Sequence, residues 1–482
     1  MSAQIYDTLL WEYIQNPWDR WLSLDKIAER KFNYEKKSFD SLVKQQKLSD
    51  FWEVDLEKAS KYSAEDVYIT NKLFLQQKEN KVIDDKVLKE IEIPLIKVLE
   101  NIEITWVKIY RDRLKELWII FENEIIRLSN SIYKEVDEEF NISSPKQVWY
   151  ILFEKLWLPR WKKTKTWYSV NSEVLESLAK EYAIAQKIID YRHFSKLNST
   201  YINWLLELLD DKDFLHTSYN QAVTTTWRLS STNPNLQNIP SWDWIASEIR
   251  SAFISRFKNW KIMSFDYSQV EIRLLAIMSE DENLINFFKE WFDIHKKTAE
   301  LIWTTDRKVA KAVNFWVIYW ISWFWLSKMI NISVAQANDY IKKFFIHYPW
   351  VKKYLEETIE FCEKNWYVET IFWRKRFIKW INDSNKIIKK AAEREAINMP
   401  IQWTSADIIK ISMNKVFDFL NNSDLKSKLI MQVHDELVFD VFPWEEEKLK
   451  EWVSDIMENI LKNKPIKLIV DNNIWNNWKE AK

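Results

Sequence analysis

Three short stretches of this 482-residue chain carry side chains suited to phosphate chemistry. In RKVAKAVNFWVIYW, Arg307, Lys311, Phe315 and Tyr319 recur at every fourth position, with Thr305 and Asp306 ahead of them as N-caps. Each such step overshoots a helical turn by about 40°, so the four lie within an arc of about 120° along roughly 18 Å of one helix. Two cations followed by two rings on one stripe suit a nucleoside triphosphate, the cations on the phosphates and a ring against sugar and base. Taken alone, this helix is read more simply as a solvated cationic turn followed by an aromatic core contact. In SFDYSQVEIRLLA an apolar lead ends on Asp266, with Glu271 and Arg273 following, and in QVHDELVFDV the residues His434, Asp435 and Glu436 sit between two apolar runs. Each aspartate by itself is equally a turn former. Together they fit two-metal phosphoryl transfer, in which carboxylates from separate elements hold ions about 3.5–4 Å apart around the attacking and leaving oxygens. Asp266 and Asp435 are expected to meet in one antiparallel sheet.

The elements that would position them follow from hydrophobic spacing. Residues 1 to about 95 are mixed and charged with helical patches such as SAEDVYITNKLFLQQK, and IEIPLIKVLENIEI then opens a strongly helical region. LKELWIIFENEIIRLSNSIYKEV and VLESLAKEYAIAQKIIDYRHFSKL have the spacing of amphipathic helices, which together read as a helical arm. The run KIMSFDYSQVEIRLLA reads as β-rich, and LIMQVHDELVFDV as two short strands around an acidic turn, with helices from about 285 to 415 between them. There is no internal repeat, low-complexity tract or Pro-rich linker, so the parts are expected to pack as one articulated body.

Composition narrows the class. Hydrophobic residues at 47% and charged residues at 29% describe a soluble chain large enough for more than one subdomain, and no apolar run is long enough to cross a bilayer. Lys+Arg 70 against Asp+Glu 71 leaves a net charge of −1, so any basic cleft must be local. Cys362 is the only cysteine, which excludes an internal disulfide, and the N-terminus lacks a secretory pattern, so a cytoplasmic location is expected. The anomaly is Gly 0 beside Trp 30, where average usage gives about 7% glycine, on the order of thirty residues in this length. Turns and helix caps need residues that tolerate positive φ, a role tryptophan fills only at a cost. Most of these tryptophans are therefore expected to be codons read as glycine in the native host, UGA being the expected source; artificial substitution would leave the same trace.

The ordered series TTTWRLSSTNPNLQNIP, FDYSQVEIRLLA, DIH, RKVAKAVNFWVIYW, AAEREAINMPIQWTSADIIK and QVHDELVFDV resembles the polymerase region of the bacterial DNA polymerase I family, also called family A. The resemblance implies an α+β right-hand fold with a palm of antiparallel sheet and helical fingers and thumb. It places the thumb at 96–225, the palm at 226–284 and 395–482, and the fingers at 285–394. It further implies a monomer that extends primer-template DNA with dNTPs, in replication or repair, using two Mg2+ ions.

Carried over by resemblance, Asp266 and Asp435 match the metal-binding aspartates, the Tyr267 carbonyl a further ligand, and Glu436 the supporting acid. Arg307 and Lys311 match the residues that grip the triphosphate, the lysine being the candidate proton donor to pyrophosphate. Phe315 matches the ring against the sugar, Tyr319 the one at the template base, and Glu271 the side chain closing the space beside C2′. Gln269 and His295 complete the nucleotide pocket. Arg228, Gln237, Asn238, Arg394, Asn398, Gln402 and His434 match primer-template contacts, although for each polar member alone a surface or capping role is the commoner one.

Trp227, Trp316, Trp320, Trp373 and Trp403 stand where the family pattern has glycine; Trp478 stands where the family also has Trp. Indoles at 316 and 320 are expected to crowd the helix surface that approaches nucleotide and template. Residues 1–95 resemble only the last part of a 3′–5′ exonuclease domain: Tyr62 and Asp66 match its final motif, while the earlier acidic motifs would lie upstream of Met1. Proofreading is therefore expected to be absent, as is the 5′-nuclease domain of longer relatives. Two other readings remain. A single-subunit RNA polymerase shares much of this logic, but Glu271 opposes it. A catalytically dead primer-template binder would follow if the indoles are real.

Overall fold

The apolar runs around the two aspartates form one sheet. The structure is a computed structural model describing residues 5–17, 21–44, 47–79, 86–159, 169–241, 243–290, 293–319 and 323–481, without the side chains of residues 315 and 317–319. Its largest sheet has four strands, β1 (Lys261–Tyr267), β2 (Lys428–Val433), β3 (Glu436–Val441) and β4 (Val470–Trp475), in the order β4-β1-β3-β2, every neighbouring pair antiparallel. The pleat sends alternate residues to opposite faces. Met263 and Phe265 of β1, with Leu437, Phe439 and Val441 of β3, join the large core. Ile262 and Val438 face a second core, and Ser264, Asp266 and Glu436 share that face by alternation. Because both faces are covered, β3 reads as an almost continuous apolar run.

The helices include, in chain order, α1 (Leu56–Glu79), α2 (Ile93–Thr105), α3 (Arg111–Val136), α4 (Ala183–Lys196), α5 (Val270–Ser279), α6 (Ile294–Leu301), α7 (Arg307–Tyr319), α8 (Pro349–Asn365), α9 (Lys386–Asn421) and α10 (Glu446–Glu458). Helices α2, α5, α9 and α10 pack onto the sheet's large-core face. Helices α3 and α4 carry their own core around Ile132, Val148, Leu175 and Ile188, forming the arm. Among the described residues no helix is long and apolar enough to cross a membrane.

Two expectations change in detail. The run KIMSFDYSQVEIRLLA is a strand only to Tyr267; Gln269 turns the chain at φ 52 and ψ 38, and α5 follows. That helix is buried almost all round, and an apolar run buried on every side has no period by which to tell helix from strand. The stretch VLESLAKEYAIAQKIIDYRHFSKL likewise divides into Ser172–Ala179 and α4, with Tyr182 extended between them.

Backbone angles bear on the tryptophans. Among the described residues Trp106, Trp157, Trp227, Trp303, Trp366, Trp373 and Trp444 have positive φ. Trp106, closing α2, has φ 60 and ψ 165, a region essentially confined to glycine. Trp366, at φ 66 and ψ 8, ends α8 with its N–H on the Cys362 carbonyl, the position where helices favour glycine.

A buried ion network ties three separate parts of the chain together. Arg374, in the hairpin of residues 367–377, donates to Glu92 at 2.6 Å and to Asp407 at 2.6 and 2.8 Å, and Lys410 donates to Glu92 at 2.8 Å. Asp407 and Lys410 lie three residues apart on one face of α9, and all four side chains are fully buried. Burial pushes the Glu92 carboxyl up, but Lys410 and Arg374 outweigh it and carry it from the ordinary 4.5 down to about 2. A depressed carboxyl adds stability above its unfolded pKa that is lost as pH falls through the folded one, here between about pH 4.5 and 2. Arg374→Met should cost about 3–5 kcal/mol in urea unfolding, since two carboxylates lose their shared cation. Glu92→Gln should flatten the loss of stability across that acid window.

Candidate active site

The register of β1 against β3 places Asp266 opposite Glu436, the residue after Asp435, and the Tyr267 N–H bonds the Asp435 carbonyl at 3.2 Å. The two aspartates therefore stand at adjoining ends of neighbouring strands. The turn between β2 and β3 is His434–Asp435, with His434 exposed at φ 55. On the other side Asp471 of β4 pairs with Asp266, and Ser264, Asp266, Asp471 and Asn473 line a cleft of about 450 Å³. Asp471 was not singled out from sequence, and VDNNIW, with three polar residues in a row, has no clear apolar alternation that would mark it.

Glu436 is fully buried, accepting from Ser264 Oγ at 2.6 Å and from Trp478 Nε1 at 2.8 Å. Its carboxylate braces the sheet beneath Asp266. Asp435 is partly open, with Ser405 Oγ of α9 at 3.5 Å and Arg228 Nη2 at 3.8 Å. Arg228 also donates to Glu271 at 3.1 Å, so one guanidinium bridges the acid at the start of α5 and the acid of the turn. The Tyr267 ring points away from the cleft, its hydroxyl bonded to Ser412 Oγ and the Met457 carbonyl at 2.8 Å each, and burial raises its pKa.

Asp266, Asp435 and the Tyr267 carbonyl offer hard oxygen donors only, which suits Mg2+. Among the described residues no three His, Cys, Asp or Glu side chains gather as a closed cage. Mg2+ needs none, since it is commonly held by one or two carboxylates and the substrate's own phosphates.

Asp306 caps α7 as expected, accepting from the Lys308 N–H at 2.8 Å. Arg307 and Lys311 are exposed on that helix, while the side chains of Phe315 and Tyr319 lie outside the described residues. Arg307 donates twice to Asp293 Oδ2, at 3.0 and 2.9 Å, and Asp293 also caps α6. Burial pulls the Asp293 carboxyl up, but Arg307 and two backbone amides outweigh it and hold it below the usual range. His295, the second residue of α6, is buried, and burial lowers its pKa, Arg307 and Lys311 adding to the effect while Asp293 opposes it. Trp316 does not crowd the open surface of α7: its ring is 4% exposed and meets Phe345 edge-on at 6.0 Å, because an indole gains more from the core than from water. Trp320 lies outside the described residues.

The polar residues expected along a duplex lie on several elements. Arg394, Asn398 and Gln402 recur every four residues on α9, all half-buried. Asn238 is exposed in a groove of about 440 Å³ shared with Tyr201 and Trp204, whereas the Gln237 amide is buried on Gln432 at 2.8 Å. Tyr62 and Asp66 belong to a separate N-terminal cluster on α1, where Lys36 pairs with Asp66 at 2.7 Å and lies 4.0 Å over the Tyr62 ring. Trp227 and Trp403 fill a core with Tyr13, and the Nε1–H of each is buried without an acceptor among the described residues.

The sequence profile of DNA polymerase family A matches residues 111–480. DNA polymerase I of Caldicellulosiruptor bescii is 44% identical over 404 residues, covering 82% of this chain and 47% of the relative. DNA polymerase I of Geobacillus stearothermophilus is 40% identical over 407 residues, covering 83% and 46%. The chain thus spans about half the length of the curated relatives it matches. Among solved structures, the POL domain of Pol1 from M. smegmatis in complex with DNA primer-template and dNTP superimposes with a TM-score of 0.87 at 29% identity, over 98% of this chain and 82% of that one.

The Glu436 brace is testable on its own. Trp478→Phe keeps the ring but removes one donor from a buried carboxylate, and should lower unfolding stability by about 1–3 kcal/mol in a denaturant titration.

Proposed function

The chain belongs to DNA polymerase family A and has the mixed helix and sheet fold of that family's polymerase domain, and from this we propose that it is a template-directed DNA polymerase adding dNTPs to a primer 3′-hydroxyl. The observation that carries the reading is the strand register that sets Asp266 beside the Asp435 turn on the sheet face toward the arm. In this reading the sheet is the palm, α3 and α4 belong to the thumb, and α6 and α7 to the fingers. The protein acts as a monomer in the cytoplasm, in replication or repair.

Each residue then takes the role that its match to the family's motifs implies. Arg307 and Lys311, exposed on one stripe of α7, receive the triphosphate, and Lys311 supplies the proton to departing pyrophosphate. By the same resemblance Phe315 is assigned to the sugar and Tyr319 to the template base, with Gln269 and His295 completing the pocket. Glu271, held by Arg228, closes the space beside C2′, so ribonucleotides meet a side chain where deoxynucleotides meet none. Two Mg2+ ions held by Asp266, Asp435 and the Tyr267 carbonyl would activate the primer hydroxyl and stabilise the charge that develops at the α-phosphate. Arg228, Asn238, Arg394, Asn398, Gln402 and His434 line the primer-template path and contact backbone and minor groove without reading sequence. Gln237 acts there through Gln432.

The segment before α2 corresponds to the last part of a 3′–5′ exonuclease-like domain. Its Asp66 is paired with Lys36 at 2.7 Å. Most tryptophans are glycine in the native protein. Supporting this are the seven positive-φ tryptophans and the two buried indole N–H groups without acceptors, each worth about 1–3 kcal/mol of penalty.

Magnesium-dependent primer extension by the glycine form, abolished by Asp435→Ala, is the expected result; templated extension that survives Asp435→Ala would sink the assignment. Glu271→Ala should admit ribonucleotides at least tenfold more readily relative to deoxynucleotides. Peptide masses of protein from its native host should show glycine at Trp106 and Trp366, and tryptophan there would end the recoding proposal.

A further inference from the structure

Thr298 of α6 and Asn314 of α7 are polar, buried at 0% and 2% exposure, and have no part in the roles assigned above. Thr298 lies three residues after His295, on the same side of α6, and Asn314 lies three after Lys311 on α7. Thr298 Oγ1 donates to Asn314 Oδ1 at 2.9 Å, and Asn314 Nδ2 stands 2.9 Å from His295 Nδ1. We propose that Thr298 and Asn314 form a buried relay that sets the tautomer of His295, making it a neutral Nε2–H donor to the triphosphate between Arg307 and Lys311. This rests on the nucleotide-pocket reading and deepens it.

The argument is one of counting protons. The charged groups around His295 are Asp293 on its own helix and Arg307 and Lys311 on the facing one, and with burial their balance favours the uncharged ring. A neutral imidazole has a single proton, and its position is decided by what each nitrogen faces. An amide presents an acceptor on one side and donors on the other. With the threonine hydroxyl donating to Oδ1, the amide offers Nδ2–H to the ring, so His295 Nδ1 must be the lone pair and Nε2 must carry the proton. Turning the amide over would reverse both bonds and leave Nε2 a bare acceptor, which repels a phosphate oxygen. A neutral donor also adds direction beside Arg307 and Lys311 without a third positive charge to repel them. Asn314 and Thr298 are positioning residues, since neither touches the nucleotide.

The test is 15N–1H multiple-bond NMR on the full chain labelled at histidine, near pH 8, with His295→Gln to assign one of the five histidines. The wild-type ring should show the Nε2–H pattern. Thr298→Val, which removes the hydroxyl without changing the shape, should give a mixture of tautomers and raise KM for dNTP about tenfold with little change in kcat; Thr298→Ser should restore both. A wild-type Nδ1–H ring, or a Thr298→Val protein with the wild-type ring pattern, would overturn the relay. Adding dNTP and primer-template separates this from the larger reading: an Nε2–H ring that ignores the nucleotide would leave the relay standing as a structural feature and refute both its proposed task and the nucleotide pocket.

Discussion

The pairing of β1 with β3 is the constraint on which the site depends. A strand's side chains alternate with period two, so a slip of one residue would send Asp266 into the large core and Phe265 into the cleft. The register is held from both faces: Met263 and Phe265 are locked into one core, and Ser264 meets the buried Glu436 on the other. Glu436 is therefore a structural acid as much as a neighbour of Asp435. Its two donors fix the strand that carries the Asp435 turn, while the Asp435 carboxylate has, among the described residues, a long contact to Ser405 and a shared cation.

Around that sheet the chain is tied together by charges taken out of water. Glu92, Arg374, Asp407 and Lys410 join the segment before α2, the hairpin at residues 367–377 and the middle of α9. Gln221 adds its amide to Glu92 at 2.9 Å, which draws in the loop that leads to Arg228. Such a network contributes little net stability against an apolar core of equal volume, but it tolerates few alternative packings, since any misplacement leaves a bare charge inside. The same α9 carries Arg394, Asn398 and Gln402, so the anchor and the residues proposed to meet the duplex share one helix.

The site was legible to unequal degrees. Asp266 and Asp435 were readable because an acid between apolar strands breaks a strong pattern, and the spacing of Arg307 and Lys311 forecast the helix that bears them. What could not be read is what long-range packing decides. Thr298 and Asn314 look like ordinary helix residues until two helices bring them together, and nothing in the sequence sets Arg307 upon Asp293. The stretch after Asp266 passed for strand because a helix buried all round loses its polar face. Trp316 was expected toward the cleft, and only the position of Phe345 shows that its ring turns inward.

The tryptophans give the chain a tension between sequence and backbone, since the turns at Trp106 and Trp366 keep geometries that suit a residue without a Cβ. The central claim, that Asp266 and Asp435 jointly form a metal site beside the triphosphate helix, is tested most directly by Mn2+ binding followed by electron paramagnetic resonance. The full chain would be titrated with primer-template and a non-hydrolysable dNTP, beside Asp266→Asn and Asp435→Asn proteins of unchanged unfolding midpoint. The account predicts two ions close enough to couple in the wild type and no coupled pair in either variant. A coupled pair retained in both variants would contradict it.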